Sequence, residues 1–254
     1  MIQNKIYSSY LNREVDLSIF QVKDEIPDHV IIINDGQDLA QMHIEKLLHH
    51  FNIKYDFKPL IVGCSAAPGE ERKQEYGVQW AADYKGRGAK AGSYASFITE
   101  ELIPDIKNKH KVDHAKFTMA GWSLGGLSAV DIAWHAPHIF QKVGMFSGSL
   151  WWRNHNLIKD DVHHRLMHHK VKNTTYKPGL KFWFQAGTED ESADRNKNGI
   201  IDVIDDTLDL IYELETKGYH KDQDFHFHIE EGGKHDVPTW SKMMYNFLDW
   251  HCTN

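Results

Sequence analysis

Lys116-Phe117-Thr118-Met119-Ala120, running into Gly121-Trp122-Ser123-Leu124-Gly125-Gly126, is the stretch whose reading decides the fold. Its first five residues form a short, mostly apolar run that predicts a buried strand. The next five have the pattern G-x-S-x-G, and the residues beyond suit a helix. A serine on a sharp strand-to-helix turn has a strained backbone, and bulky neighbours would clash with it. Gly121 and Gly125 remove that clash and let the Ser123 hydroxyl project above the sheet edge. A helix starting near Leu124 aims free N–H groups and its positive dipole end at the same point, which suits a developing oxyanion. Ser123 is therefore the candidate nucleophile, and the Leu124 N–H a candidate oxyanion donor. A plain glycine-rich turn would explain the five residues alone, but not the strand before and the helix after.

On both sides of this stretch apolar runs alternate with amphipathic segments. Residues 30–33, 60–64, 143–146, 181–186 and 225–229 predict further strands, and 94–106, 205–217 and 239–250 predict helices. Residues up to about Leu17 predict one antiparallel edge strand. Strand alternating with helix implies a mostly parallel sheet covered on both faces, an α/β class. No repeat, linker or composition break divides the chain, so one domain over residues 1–254 is expected.

Composition narrows the function. Hydrophobic residues make up 41% and charged residues 26%, the balance of a globular protein. A formal charge of −7 with no Lys/Arg block argues against nucleic-acid binding. No run is long enough to span a bilayer or to act as a signal peptide. The expected address is cytoplasmic, or secreted if a leader has been removed. Cys64 and Cys252 are too few and too far apart for a disulfide framework.

A serine hydroxyl needs a base to take its proton and a carboxylate to orient that base. With G-x-S-x-G on an α/β-hydrolase fold, the chain order is serine, acid, histidine. The acid is expected just past a later strand, where Gly187-Thr188-Glu189-Asp190 offers Asp190 ahead of Glu189, with Asp194 a third choice. The chain has 18 histidines, so position must choose among them. His235, in Gly232-Gly233-Lys234-His235-Asp236 before the last helix, fits the base. His226 and His228 fall within a strand and read as packing residues. His163, His164, His168 and His169 have no carboxylate or cysteine partner in the pattern and read as a solvated helix face. The second oxyanion donor is expected in the loop after an early strand, from the amide of Gln37 or Asp38.

These segments together resemble the esterase family of α/β hydrolases that includes feruloyl and acetylxylan esterases, esterase D and the enterobactin esterases. The likeness runs from about residue 27 onward. Asp35-Gly36-Gln37 looks like that family's oxyanion loop, and Glu100-Glu101-Leu102-Ile103-Pro104 like its helix before the nucleophile strand. Ser147-Gly148-Ser149-Leu150-Trp151-Trp152 resembles the siderophore-esterase branch. Gly187-Thr188-Glu189-Asp190 matches the acid loop of the feruloyl branch, which strengthens Asp190. Gly233-Lys234-His235-Asp236 with Trp240, Phe247 and Leu248 matches the catalytic-histidine segment. The resemblance implies a serine carboxylester hydrolase working through an acyl-enzyme, without a catalytic cofactor. Its partner would be a small-molecule ester: an acetylated or feruloylated sugar, or a siderophore ester. Trp122, Trp151 and Trp152 are expected as an aromatic wall for the substrate. The loop lacks the H-G-x-G-G form of the feruloyl branch, which leaves the second oxyanion donor open. An acyltransferase, or a silent glycan- or siderophore-binding module on the same scaffold, are the other readings.

One segment stands apart. Asp194, Asn196, Asn198, Asp202 and Asp205 occupy positions one, three, five, nine and twelve of a calcium-loop template, with Gly199 at six and the Ile200 carbonyl at seven. A structural Ca²⁺ is the expectation, against an Asp/Asn-rich turn capping a helix near Asp205.

Overall fold

The computed structural model describes residues 1–23, 25–155 and 164–254. Its centre is an eight-stranded sheet in the order β1-β2-β4-β3-β5-β6-β7-β8. The strands are β1 (Ile2–Ser8), β2 (Arg13–Phe20), β3 (His29–Asn34), β4 (Pro59–Cys64), β5 (Lys116–Trp122), β6 (Phe140–Phe146), β7 (Lys181–Glu189) and β8 (Phe225–Lys234). The six strands from β3 onward are parallel to one another. The inner strands β3 to β7 read as apolar runs because both their faces are covered, whereas β8, at the sheet edge, is largely half-buried or exposed. The α/β-hydrolase-type fold expected from the sequence is the fold observed.

The N-terminal residues form a hairpin rather than the single edge strand expected: β1 pairs with β2, and β2 pairs antiparallel with β4. Ile2 and Tyr7 on β1 are exposed, so the edge strand lacks the continuous apolar run by which the inner strands were read.

Two apolar layers fill the space between sheet and helices. On one face, α5 (Ser123–His135) packs against β5 and β6, with Leu127, Val130 and Trp134 buried. On the other, α1 (Ile44–Tyr55) and α8 (Val237–Thr253) bury Phe51, Met244 and Phe247 against Ile31, Trp122 and Trp183. The helix expected over 94–106 spans α3 (Ala91–Ser96), a π-helical turn (Phe97–Leu102) and α4 (Ile103–His110). Pro104 explains the turn. A proline has no N–H, and its ring clashes with the carbonyl four residues back, so one wider turn lets the helix continue past it. The remaining helices are α2 (Glu71–Glu75), α6 (Leu166–Asn173) and α7 (Asp202–Thr216). Among the described residues, no helix is long and apolar enough to cross a membrane.

The histidine-rich segment departs from expectation at His168. It is fully buried, and its Nε2 meets the Asp206 carbonyl at 2.8 Å. Burial and the nearby Arg165 cation hold its pKa down to about 3. His169 is exposed and His164 is half-buried against His155. His163 lies outside the described residues.

Candidate active site

Parallel strands bring their C-terminal ends to one edge of the sheet, and the chemistry-bearing residues collect there. Ser123 follows β5, Asp190 follows β7, and His235 follows β8, whose strand runs through the glycines expected to form a loop. Ser123 has φ 56°, in the left-handed region reached by few non-glycine residues, the strain of a serine on a sharp elbow. The glycines around it are required by close approach. A Cβ on Gly121 would lie 2.6 Å from the Gly125 carbonyl oxygen, and one on Gly125 would lie 2.6 Å from Asp35 Oδ2.

Ser123 Oγ and His235 Nε2 are 2.9 Å apart. The other ring nitrogen, Nδ1, stands 3.7 Å from Asp190 Oδ1, a distance of charge attraction rather than a formed hydrogen bond. The Asp190 carboxylate is fully covered and is held elsewhere: Oδ1 accepts from the Ser147 hydroxyl at 3.0 Å, and Oδ2 from the Gly187 N–H at 2.9 Å. Ser147 in turn accepts from Trp240 Nε1 at 3.0 Å. Trp240 also sets its ring edge-on to His235, with centroids 5.1 Å apart. The indole thus fixes both the imidazole plane and the hydroxyl that anchors the acid.

Burial lowers the His235 pKa, with the Arg72 cation adding to it against the pull of Asp190 and Asp236. A neutral imidazole, able to accept a proton, is therefore the form at neutral pH. Burial raises the Asp190 pKa, and its hydrogen bonds from Gly187 and Ser147 oppose that.

Leu124 is the second residue of α5, where a helix leaves N–H groups without intrahelical partners. Of the two amides expected to join it, that of Asp38 donates to the Asp35 carbonyl at 3.1 Å, inside a 3₁₀ turn. The Asp38 amide is thereby already engaged within the turn. The Asp38 carboxylate instead accepts from Trp122 Nε1 at 3.1 Å.

The expected aromatic wall reduces to one indole. A cleft of about 340 Å³ is lined by Ser123, His235, Asp190, Glu191, Val203 and Trp151. Trp122 is 1% exposed and stacks on Trp240 beneath the site. Trp152 is also 1% exposed and packs where Gly77 and Gly88 leave room for its ring. Both side chains point into the apolar layers, a direction that the sequence pattern does not reveal.

Several site residues had no role in the sequence reading. Asn34 joins the end of β3 to the elbow, donating to the Gly125 carbonyl at 2.7 Å and accepting from Tyr94 at 2.6 Å. Asp35, in left-handed backbone with φ 58°, binds Arg72 in a two-pronged pair at 2.7 and 2.8 Å. Asp35, Ser147 and Trp240 lay within the motifs that carry the family resemblance, so position offered a signal. Arg72 offered none.

In the loop 194–205, the Asn196 and Asn198 side-chain amides reach the Asp205 carboxylate at 2.6 and 3.2 Å. Asp194 accepts from the Asn198 and Gly199 amides. Asp202 faces away, accepting from the Arg195 N–H and pairing with its guanidinium at 3.3 Å. The helix here starts at Asp202, three residues earlier than expected. Among the described residues, no three His, Cys, Asp or Glu side chains are grouped to hold a metal ion.

Comparison with known proteins agrees with this architecture. The family model described as "Putative esterase" matches residues 8–250. "Uncharacterized protein YbbA" of Bacillus subtilis is 27% identical over 226 residues, 87% of this chain and 84% of that protein. Ferri-bacillibactin esterase BesA of the same organism is 32% identical over 73 residues, 29% of this chain and 25% of its own. Among solved structures, the enterobactin esterase FES from Shigella flexneri, in the presence of enterobactin, aligns with TM-score 0.73 and 20% identity. The alignment takes in 98% of this chain, which spans 58% of the Shigella protein. The BES protein from Bacillus cereus aligns with TM-score 0.71 and 22% identity, over 98% of this chain and 93% of its own. The chain belongs to this esterase family, and it is an ester hydrolase.

Proposed function

We propose that the chain is a serine esterase using Ser123, His235 and Asp190 as nucleophile, base and orienting acid. The observation that carries this reading is the 2.9 Å contact between Ser123 Oγ and His235 Nε2 on a strained elbow. Ser123 attacks the ester carbonyl while His235 Nε2 takes its proton. The oxyanion forms against the N–H groups of Leu124 and Gln37. His235 then protonates the departing alcohol, leaving an acyl group on Ser123. Water, deprotonated by the same imidazole, releases the acid and restores the serine. Charge developing on His235 draws it toward Asp190, closing the 3.7 Å gap. Side chains and backbone amides suffice for this route.

For the substrate we propose an ester with an aromatic acyl group, of the feruloyl-sugar or siderophore kind. Support comes from Trp151 in the cleft, with the Arg87 guanidinium 5.0 Å over its ring. It comes also from relatives whose names include ferri-bacillibactin, enterobactin and ferulic acid esterases. The test compares p-nitrophenyl acetate, butyrate and ferulate. A lower KM for ferulate, lost in Trp151→Ala, is expected; equal KM values in both proteins would refute the aromatic preference. We propose, too, that the loop 194–205 takes a structural Ca²⁺ that stiffens the segment after Asp190. Its support is the template and the convergence of Asn196, Asn198 and Asp205.

A further inference from the structure

At the end of the sheet opposite Ser123 lies a second cavity, of about 380 Å³. It opens where the parallel strands begin, and basic residues occupy those starts in register. His29 on β3 pairs with Lys116 on β5, and Lys142 on β6 pairs with Lys181 on β7. All four line the cavity. Like charges set side by side across neighbouring strands repel, so such a row is unfavourable unless something neutralises it. The protein does so only in part. Lys142 gives one N–H to the His251 carbonyl oxygen in the last turn of α8 at 2.6 Å, and Lys181 gives one to the main-chain oxygen of Asn254, just past the helix, at 3.1 Å. That is a common role for cations at a helix C-terminus. An ammonium has three donors, so two remain on each lysine. Among the described residues, no Asp or Glu side chain stands within ion-pair distance of Lys116, Lys142 or Lys181. The two acids on the cavity rim, Asp28 and Asp56, pair with His29 and Lys58.

The cavity floor carries a second, independent sign. His251 is 2% exposed and lines the cavity. Its Nε2 shares a 2.8 Å hydrogen bond with the Thr118 hydroxyl, while Nδ1 has no protein partner. A buried polar atom left without a partner is costly, and such atoms in native proteins commonly meet water or a ligand. Charge points the same way. Burial and the ammoniums of Lys181 and Lys116 hold the Lys142 pKa down to about 8, with only the Cys252 thiol opposing them. His251 is held well below its usual range by burial, Lys142, His29 and Lys116.

We propose that this cavity binds a phosphate group, with Lys116, Lys142 and Lys181 as its cationic walls and His251 at its floor. The ligand is either free phosphate or a phosphomonoester of small size, since the volume exceeds what one phosphate fills. This site is separate from the ester-cleaving cleft, and the proposal does not depend on the roles assigned to Ser123, His235 and Asp190.

The test is thermal melting of the intact protein during titration with inorganic phosphate, and separately with glycerol 3-phosphate, against sodium chloride of equal ionic strength. Saturable stabilisation is expected, roughly 3–5 °C when the ligand stands at ten times its Kd. Lys142→Met and the rim variant Lys116→Gln should each weaken binding at least about fivefold while ester hydrolysis stays unchanged. A stronger response to glycerol 3-phosphate identifies a phosphomonoester site; an equal or weaker one identifies free phosphate. Acetic anhydride labelling of the wild type, read by peptide mass spectrometry, needs no variant: ligand should slow acetylation of Lys142 severalfold. A response equal to that of chloride, one unchanged in both variants, or no protection of Lys142 would overturn the proposal.

Discussion

Gly121→Ala probes the link between backbone packing and chemistry at the elbow. The added Cβ would stand 2.6 Å from the Gly125 carbonyl oxygen and 2.7 Å from its carbon, where ordinary contact begins at 3.4 Å. Both neighbours are backbone, so relief requires β5 and the first turn of α5 to separate by about 0.8 Å. Ser123 lies between them. Moving its Oγ that far from His235 Nε2 stretches a 2.9 Å hydrogen bond beyond the normal range. A misplacement near 1 Å at a reacting group costs about 100-fold in rate. Overpacking should also lower stability by about 1–3 kcal/mol, or roughly 2–12 °C in Tm for a chain of this size. The assay is kcat/KM on p-nitrophenyl acetate beside a thermal melt. Gly144→Ala is the control, because its Cβ would meet the Phe247 ring at 2.6 Å on β6, away from the serine. It should lose stability and keep its specific activity. A Gly121→Ala protein with wild-type Tm and kcat/KM within about threefold would refute the packing argument.

Two further outcomes follow from the site's charges and from the acidic loop. Because the His235 pKa is lowered from 6.5, the neutral base persists below that pH, and the acid limb of kcat/KM should have its midpoint below 6.5; a midpoint at 7 or above would contradict that lowering. Calcium added to chelator-treated protein should raise Tm, and Asp194→Ala should abolish the rise; an unchanged melt would remove the metal from the loop 194–205.

The parallel sheet and the elbow were legible because each rests on local chemistry: apolar runs mark buried strands, and glycines flank a strained serine. His235 and Asp190 could be placed because chain order in the fold restricts them to the ends of β8 and β7. What stayed hidden was side-chain direction. Trp122 adjoins the nucleophile and Trp151 and Trp152 are neighbours in sequence, yet of the three only Trp151 reaches the cleft, while the other two lie in apolar layers. That the Asp38 amide is engaged rests on a 3₁₀ turn after β3, which the sequence pattern does not announce. His168 was misread for the same reason, its partner being a carbonyl on α7 far along the chain. Arg72 pairs with Asp35 across 37 residues, a contact that no periodicity announces.

The central claim is that Ser123 forms the acyl-enzyme, and a fluorophosphonate probe with intact-mass detection tests it most directly. The account predicts one adduct on the wild type, mapped to Ser123, none on Ser123→Ala, and a loss of p-nitrophenyl acetate turnover of about 10⁴-fold or more in that variant. An adduct on another residue, or turnover retained by a folded Ser123→Ala protein, would contradict it.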